Sequence, residues 1–538
     1  MCSHIFWGFM PETERISSEI VIIGGGPTGL TLANLLGKMG VKIHLIEQNK
    51  ETVNEPRAVS IDDESLRIFQ SIGIKERVNS IIVEGYGSIY KSYYGKEFSR
   101  VMPTSKEYGF EKRNAFQQPE LEKILSDNLS TLNSVRTFFN WKMIEFSQKP
   151  SNIQVIIQSQ QSDKIKILTG KFLVACDGAS STIRKSLNIP LQGSSFEETW
   201  VIVDLLKTIN RNRHTEVFCN PDRPCITLPG PKQTRRYEFM IRSGENIDHA
   251  TSELNVRTLM ESVGPDKNQK IKRIRSYTFH ARVAKKWRDQ RVFLAGDSAH
   301  LSPPFAGQGM NSGIRDVGNL AWKLAASLSN AKNKKILDSY EEERKPHALE
   351  MINLALKMGR IMNPRNHFKA WLIRVFFTTL GLYGPARDYI AQMKYKPKPR
   401  FYSGLIWPDN KKDTIVGQLV PQPITEDYQK NRNLLDEQIS NEPCILIFDE
   451  SPDKHLTKRI EKNFLEKGCS IIGLTPEWVN AYEGSIRILR DASHLFSRNP
   501  YRSYLGSALL IRQDKYIAAT APIDNIEKLL EYLREITS

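Results

Sequence analysis

The stretch EIVIIGGGPTGLTLANLLGKMGVKIHLIEQ, residues 19–48, decides the reading of the fold. Glu19 to Ile23 is a short apolar run that ends in Gly24-Gly25-Gly26-Pro27-Thr28-Gly29. Leu30 to Met39 then has helical periodicity, and Val41 to Ile46 reads as a second strand ending at Glu47, with Gln48 next. The order predicts a β-α-β unit with dinucleotide spacing. In Gly24-x-Gly26-x-x-Gly29 the first glycine permits the tight turn and the second lets the backbone approach a pyrophosphate. The third allows close helix–strand packing, and the helix N-terminus offers unpaired N–H groups to the anion. Glu47 ends the second strand, where an acid can accept bonds from ribose hydroxyls. Pro27, Thr28 and Gln48 complete the candidate contacts. The motif alone does not separate NAD from FAD.

Working outward, Gln118-Pro119-Glu120 opens a helical stretch, and Ile153 to Ile157 with Lys164 to Leu168 reads as a β-hairpin. A buried strand, Phe172 to Ala175, runs into Cys176-Asp177-Gly178. From about Gly193 to Phe279 the pattern is strand-rich, with Trp200 to Leu205, Glu216 to Cys219 and Arg236 to Ile241 as candidates. Arg291 to Ala295 returns as a strand ending at Gly296-Asp297, and a helix is expected from Met310 to Ser327. Helical, charge-rich sequence continues to about Ala391, and Pro397 to Pro408 marks a boundary. Beyond it lie short strands at Cys444 to Phe448, Cys469 to Leu474, Leu505 to Ile511 and Tyr516 to Ala519, closed by the helix Ile526 to Ile536. The expected class is α/β: a Rossmann-like domain in two pieces, 1–192 and 281–400, an inserted β-sheet domain at 193–280, and a thioredoxin-like domain at 401–538.

A chain of 538 residues exceeds what one core usually supports. The formal charge of +16 is spread along it. Lys285-Lys286, Lys334-Lys335 and Lys411-Lys412 are short and lack interleaved aromatics, which argues against a nucleic-acid footprint. A field of this sign could gather carboxylates and reduced dinucleotides. The six cysteines form no Cys-x-x-Cys and no zinc spacing, so we expect free thiols, a reducing compartment and no metal. Met1 to Met10 lacks a basic n-region and a long apolar core. Ala370 to Tyr383 contains Arg374, is too short to span a bilayer, and suits a buried or interface helix. A cytoplasmic protein is the expectation.

Two further motifs narrow the cofactor. Asp177-Gly178-Ala179-Ser180-Ser181-Thr182-Ile183-Arg184 has the form Asp-Gly-x-x-Ser-x-x-Arg, and residues 291–311 read RVFLAGDSAHLSPPFAGQGMN. Taken singly, each Asp could be a turn residue or helix cap. The joint order of glycine fingerprint, Asp-Gly and Gly-Asp resembles the FAD-dependent aromatic hydroxylases of the para-hydroxybenzoate hydroxylase fold. It is most similar to the 3-(3-hydroxyphenyl)propionate hydroxylases. Pro56-Arg57-Ala58-Val59-Ser60-Ile61-Asp62-Asp63-Glu64, Arg113-Asn114-Ala115-Phe116, Arg235-Arg236-Tyr237-Glu238-Phe239-Met240 and Asn311-Ser312-Gly313-Ile314-Arg315-Asp316 carry that likeness. Lys396-Pro397-Lys398-Pro399 and Arg512 to Thr520 extend it nearly to the C-terminus.

The resemblance implies FAD as cofactor, NADH or NADPH as reductant, and O2 and a phenolic acid as substrates. The phenol would be hydroxylated ortho to its hydroxyl through a flavin C4a-hydroperoxide. It implies that Asp297 bonds the ribityl chain, that Asp177 serves the FAD pyrophosphate and the nicotinamide cofactor, and that Arg57 and Gln118 touch the flavin. The run through Pro304, Gly307 and Gly309 to Met310 and Asn311 would bring backbone N–H groups and a helix N-terminus to the flavin ring.

Substrate contacts are less defined. Arg235 or Arg236 could hold a carboxylate, but strand neighbours point to opposite faces, so only one can face the pocket. Tyr237 is a further candidate. His300 reads as packing near the Gly-Asp turn, and no residue is named as catalytic base. The C-terminal domain, lacking Cys-x-x-Cys, suits packing or homodimer formation. Two other readings stay open: an FAD monooxygenase of a larger phenol, polyketide or antibiotic, and a non-enzymatic flavin-binding interaction module.

Overall fold

A computed structural model describes residues 14–329, 334–364, 366–454 and 456–537. The Met1 to Met10 reading and Cys2 lie outside them. Ile20–Ile23 pairs in parallel with Ile43–Glu47 on one side and Phe172–Ala175 on the other, with Val292–Leu294 next. Val135–Phe139 extends the far edge and Arg288–Asp289 closes the opposite one. The central strands are apolar and buried, as a parallel sheet covered on both faces requires. The helix after the glycine turn is Pro27–Lys38, starting three residues before the expected Leu30, because proline at the first position presets a helical φ. Helix Gly309–Ser329 packs against it. The expected hairpin forms as Ile153–Ser159 and Ile165–Gly170, with Val155 opposite Leu168, at the centre of a four-stranded sheet.

The strand-rich segment builds an eight-stranded sheet around the antiparallel pair Leu191–Leu205 and Ile271–Ala284. The expected Trp200 to Leu205 is the end of that longer strand. The sheet also takes in His300–Leu301 and a hairpin, Ser88–Lys91 with Glu97–Val101, from outside 193–280. Neither this hairpin nor Ile271–Ala284 was visible in the pattern. The hairpin is polar and aromatic without clean alternation, and its extended form is fixed by pairing with the remote Thr215–Phe218. Helices Ile247–Ala250 and Glu253–Val263 cover one face, burying Tyr237, Phe239, Val256 and Met260.

In the C-terminal unit Cys444–Phe448 pairs in parallel with Ser470–Thr475 and antiparallel with Ser507–Ile511, which pairs antiparallel with Ile517–Pro522. With helices Lys458–Leu465 and Leu529–Thr537 this is a thioredoxin-like arrangement. The fold is therefore α/β, with a Rossmann-like region, a second sheet and this unit. The five described cysteines are free thiols, and burial pushes Cys444 up to about 11 and Cys469 higher still. Among the described residues no helix is long and apolar enough to cross a membrane. Helix His367–Leu380 buries none of its residues within the chain, and Phe368 and Phe376 are exposed, so of the two expectations, a buried or an interface helix, the buried one does not hold.

The C-terminal unit is fastened by buried charge. Arg512 donates to Glu343 through both terminal nitrogens at 2.8 Å and to Asp514 at 2.6 and 3.0 Å. Lys323 reaches the same Glu343 at 2.6 Å, and Asn319 bonds both Glu343 and Asp514. A second clasp joins Arg67 to Asp436 at 2.6 and 2.7 Å. Burial opposes ionisation of Glu343, yet Arg512 and Lys323 hold it down at about 2. Arg512→Met strands two buried carboxylates with one cation fewer, and should cost about 3–5 kcal/mol. Urea unfolding with limited proteolysis should show a lower midpoint and early cleavage of the C-terminal unit. An unchanged midpoint would contradict this account of the interface.

Candidate functional site

The three fingerprint glycines do three different things. Gly24 has φ +110°, and a Cβ there would lie 2.1 Å from the Cys176 carbonyl oxygen. A Cβ on Gly29 would lie 1.9 Å from the Gly24 carbonyl oxygen. Gly26 instead faces open space, with nothing within 4 Å of its Cβ position. It is also the N-cap of helix Pro27–Lys38 and no side chain caps that helix, so its first amides point into an open cradle. Glu47 borders the cradle. Its Oε2 accepts the Gly25 amide at 2.6 Å and its Oε1 accepts the Asn49 amide at 2.8 Å.

From this cradle a cavity of about 820 Å³ runs to the eight-stranded sheet. Gly24, Gly26, Pro27, Thr28, Glu47, Gln48, Arg57, Gln118, Asp177, Asp297, Pro304, Gly307, Gly309 and Met310 all line it, as does Arg236. Gln118 braces the loop that carries Arg57: its Oε1 accepts the Ala58 amide at 2.7 Å, and its Nε2 donates to Glu122 at 2.7 Å. Asp177 Oδ2 accepts the Thr182 amide at 2.8 Å, capping the short helix behind it. Asp297 is exposed to the cavity but crowded elsewhere by protein, and burial raises its pKa. Gly307 has φ +63°, and Gly309 opens into the cavity with nothing within 4 Å.

Five expected contacts do not reach the cavity wall. Gly29 and Gly296 sit behind it as close-packing positions, Gly296 with φ +62° against the Thr28 side chain. The Asn311 side chain is spent inside the protein: its Nδ2 donates to Ser60 and Gly307 carbonyls at 3.1 and 2.8 Å, and its Oδ1 accepts from the Asp62 amide and Ser65 hydroxyl. Asn311 thus ties the 60–62 loop to the 307 turn. Arg235 points to the helix-covered side, donating to Thr227 at 2.6 Å with Glu216 at 3.7 Å. Tyr237 shares that face and donates to Asp266 at 2.8 Å. Strand parity separates these two from Arg236. Arg236 faces the cavity, but its guanidinium donates to Asp204 at 2.7 Å and to the Pro56 and Arg57 carbonyls. Arg273 binds the same Asp204, at 3.0 Å, so the pair anchors the second sheet to the 55–57 loop.

His300 also lies behind the wall, bonded to Asp316 at 2.7 Å and stacked on Trp287, while Asp316 Oδ2 accepts the Gly296 amide at 3.1 Å. Two groups escaped residue-by-residue reading. Asp62, Asp63 and Glu64 converge, and Arg315 and Lys396 neutralise them: Arg315 meets Glu64 at 2.8 Å, and Lys396 meets Asp62 and Glu64 at 3.2 and 2.8 Å. Burial pushes Asp63 up to about 7, whereas Arg315 and Lys396 overcome burial to hold Asp62 low. No local signal reveals pairing over more than 200 residues. The second group is the apolar end of the cavity. Val217, Ile226, Leu228, Phe279, Phe305 and Met358 line it, with Phe279 and Phe305 in edge contact at 6.0 Å.

The open positions at Gly26 and Gly309 match a dinucleotide whose pyrophosphate lies on one helix N-terminus and whose ring lies near another, as FAD requires. Gly26→Val should therefore fold and lose flavin, because its side chain enters only the cradle. Gly29→Ala should instead lower stability, because it strikes backbone. The ratio of flavin absorbance to protein should fall with FAD affinity weakened roughly tenfold or more, about 1.4 kcal/mol. Wild-type flavin content in Gly26→Val would overturn the placement.

Comparison with known proteins agrees with this geometry. The family described as FAD binding domain matches residues 17–355, and the HcaD C-terminal domain matches 417–536. The chain is 31% identical over 527 residues to the 3-(3-hydroxy-phenyl)propionate/3-hydroxycinnamic acid hydroxylase of Escherichia coli O81 (strain ED1a), covering 97% of this chain and 95% of that one. Among solved structures, the flavin-dependent monooxygenase PieE, in complex with FAD and substrate, superposes with TM-score 0.82 at 19% identity, over 98% of this chain and 100% of that one. Aklavinone-11 hydroxylase, with FAD and aklavinone, gives 0.77 at 19% identity, over 98% and 100%. With the glycine cradle, the Asp177 and Asp297 walls and the joined aromatic pocket, these matches place the chain in the family of FAD-dependent aromatic hydroxylases.

Proposed function

We propose that the chain hydroxylates a phenolic acid, 3-(3-hydroxyphenyl)propionate or 3-hydroxycinnamate, ortho to its hydroxyl, using O2 and NADH or NADPH. The observation that carries this reading is the continuity of one cavity from the nucleotide cradle to an aromatic and apolar pocket. The relatedness along 97% of the chain to a hydroxylase of that substrate supports it. Free thiols and a need for reduced nicotinamide fit a cytoplasmic enzyme.

Bound in the cradle, FAD supplies electron transfer from the nicotinamide and activation of O2. The protein's part is placement. The Gly26 amide and the free amides of Thr28 and Gly29 at the helix start would hold the pyrophosphate, Glu47 would face the ribose, and Asp297 would serve the ribityl chain. The Gly309–Met310 helix N-terminus offers its amides and positive dipole end to negative charge on the ring edge. Phe279, Phe305 and Met358 exclude water and confine a phenol ring, so that one ring carbon rather than another meets the activated oxygen. The Asn311 bonds keep the 60–62 loop and the 307 turn in register around that meeting point.

A larger phenol is the second reading. One observation favours it: an apolar cavity of about 560 Å³ adjoins the first through Tyr90, Val101, Leu354, Met358 and Tyr395. NADH oxidation by the FAD-loaded protein should rise when 3-(3-hydroxyphenyl)propionate is added, and mass spectrometry with NMR should identify the vicinal diol. Failure on both counts, with success for a polycyclic phenol, would sink the phenolic-acid assignment in favour of the second reading.

A further inference from the structure

The basic side chains at the substrate end of the cavity differ in what they hold. Arg236 and Arg273 are spent on Asp204, and Lys396 on Asp62 and Glu64. Arg113 also lines the cavity, and among the described residues no carboxylate pairs with it. Its guanidinium lies 4.5 Å over the Tyr86 ring and donates to the Ser88 hydroxyl. Tyr90 and Tyr395 are close enough to influence its charge, and burial raises the pKa of both phenols, keeping them as neutral O–H groups. The Tyr86 hydroxyl is buried beside this group without a well-formed bond of its own. Tyr86, Ser88, Tyr90, Arg113 and Tyr395 thus form a polar pole whose cation is not spent on a carboxylate, unlike Arg236, Arg273 and Lys396.

A cavity-lining guanidinium without a carboxylate partner is free to take an anion, and its planar fork matches a carboxylate with two parallel bonds. We infer that Arg113 is the anchor for the carboxylate of an aryl-alkanoic acid substrate, in the place that sequence reading gave to Arg235 or Arg236. This rests on the proposed reading that a phenol is hydroxylated in this cavity. The anchor gives the pocket a direction: a carboxylate at the Arg113 pole and an apolar ring against Phe279 and Phe305. A neutral phenol brings no negative charge to meet the Arg113 guanidinium.

The test measures dissociation constants for 3-(3-hydroxyphenyl)propionate and for its neutral primary amide on the FAD-loaded protein, by perturbation of flavin absorbance. Wild type should prefer the acid. Arg113→Met should weaken the acid roughly 10- to 100-fold while leaving amide affinity and flavin content near wild type. Arg113→Lys should recover part of the loss. Acid affinity unchanged in Arg113→Met, or acid and amide weakened equally, overturns the anchor and leaves the proposed function standing. If wild type binds neither acid nor amide but takes other phenols, both fall. If Arg113→Met does not fold, the wild-type comparison decides: no preference for the acid over its amide overturns the anchor.

Discussion

The structure depends on one close approach. Gly24 packs on the Cys176 carbonyl just beyond the Phe172–Ala175 strand and Gly29 packs on the Gly24 carbonyl, so that neither has room for a β-carbon. That contact fixes where helix Pro27–Lys38 starts and therefore where its unpaired amides point. It also sets Asp177, at the end of the neighbouring strand, on the cradle's rim. Two strands along, the same sheet delivers Gly296-Asp297, and Gly296 in turn packs on Thr28 at the start of that helix. Three motifs distant in sequence thus meet because each is a turn at the carboxyl edge of one parallel sheet.

This local character explains what was legible in the sequence. A glycine that lacks room, a strand that is apolar throughout and a proline at a helix start leave marks within a few residues. The fingerprint, the Asp177 and Asp297 turns and the alternating hairpin at Ile153 were readable for that reason. The Ser88–Val101 hairpin was not, because its partner lies more than a hundred residues away and its own pattern is mixed. Asn311 shows a subtler limit. It belongs to the right motif and the right place, yet its side chain is consumed in joining two loops, and only three-dimensional bookkeeping of its four bonds reveals that.

Substrate recognition was the least legible part. Alternation along Arg235–Met240 established that one arginine faces inward, but not whether the inward one is unoccupied. Arg236 is inward and satisfied by Asp204, whereas Arg113 comes from a loop with no periodic signal. A guanidinium's availability depends on the absence of a carboxylate nearby, and absence across a fold is written in no short stretch of sequence. The same holds for Asp62, Asp63 and Glu64, which look like an acidic cluster until Arg315 and Lys396 are seen to close on them.

The buried cluster beneath the C-terminal unit has a consequence for biosynthesis. Lys323 and Asn319 belong to the helix whose other end faces the cofactor cavity, and both bond Glu343. Arg512, which completes the charge balance of Glu343, follows it by 169 residues. At ordinary ribosomal speeds that separation is roughly ten to thirty seconds of translation. Through that interval the cradle is already encoded and emerging, but the carboxylate beneath its helix lacks its guanidinium. Final packing of the flavin-facing helix therefore awaits a residue made 169 positions after Glu343.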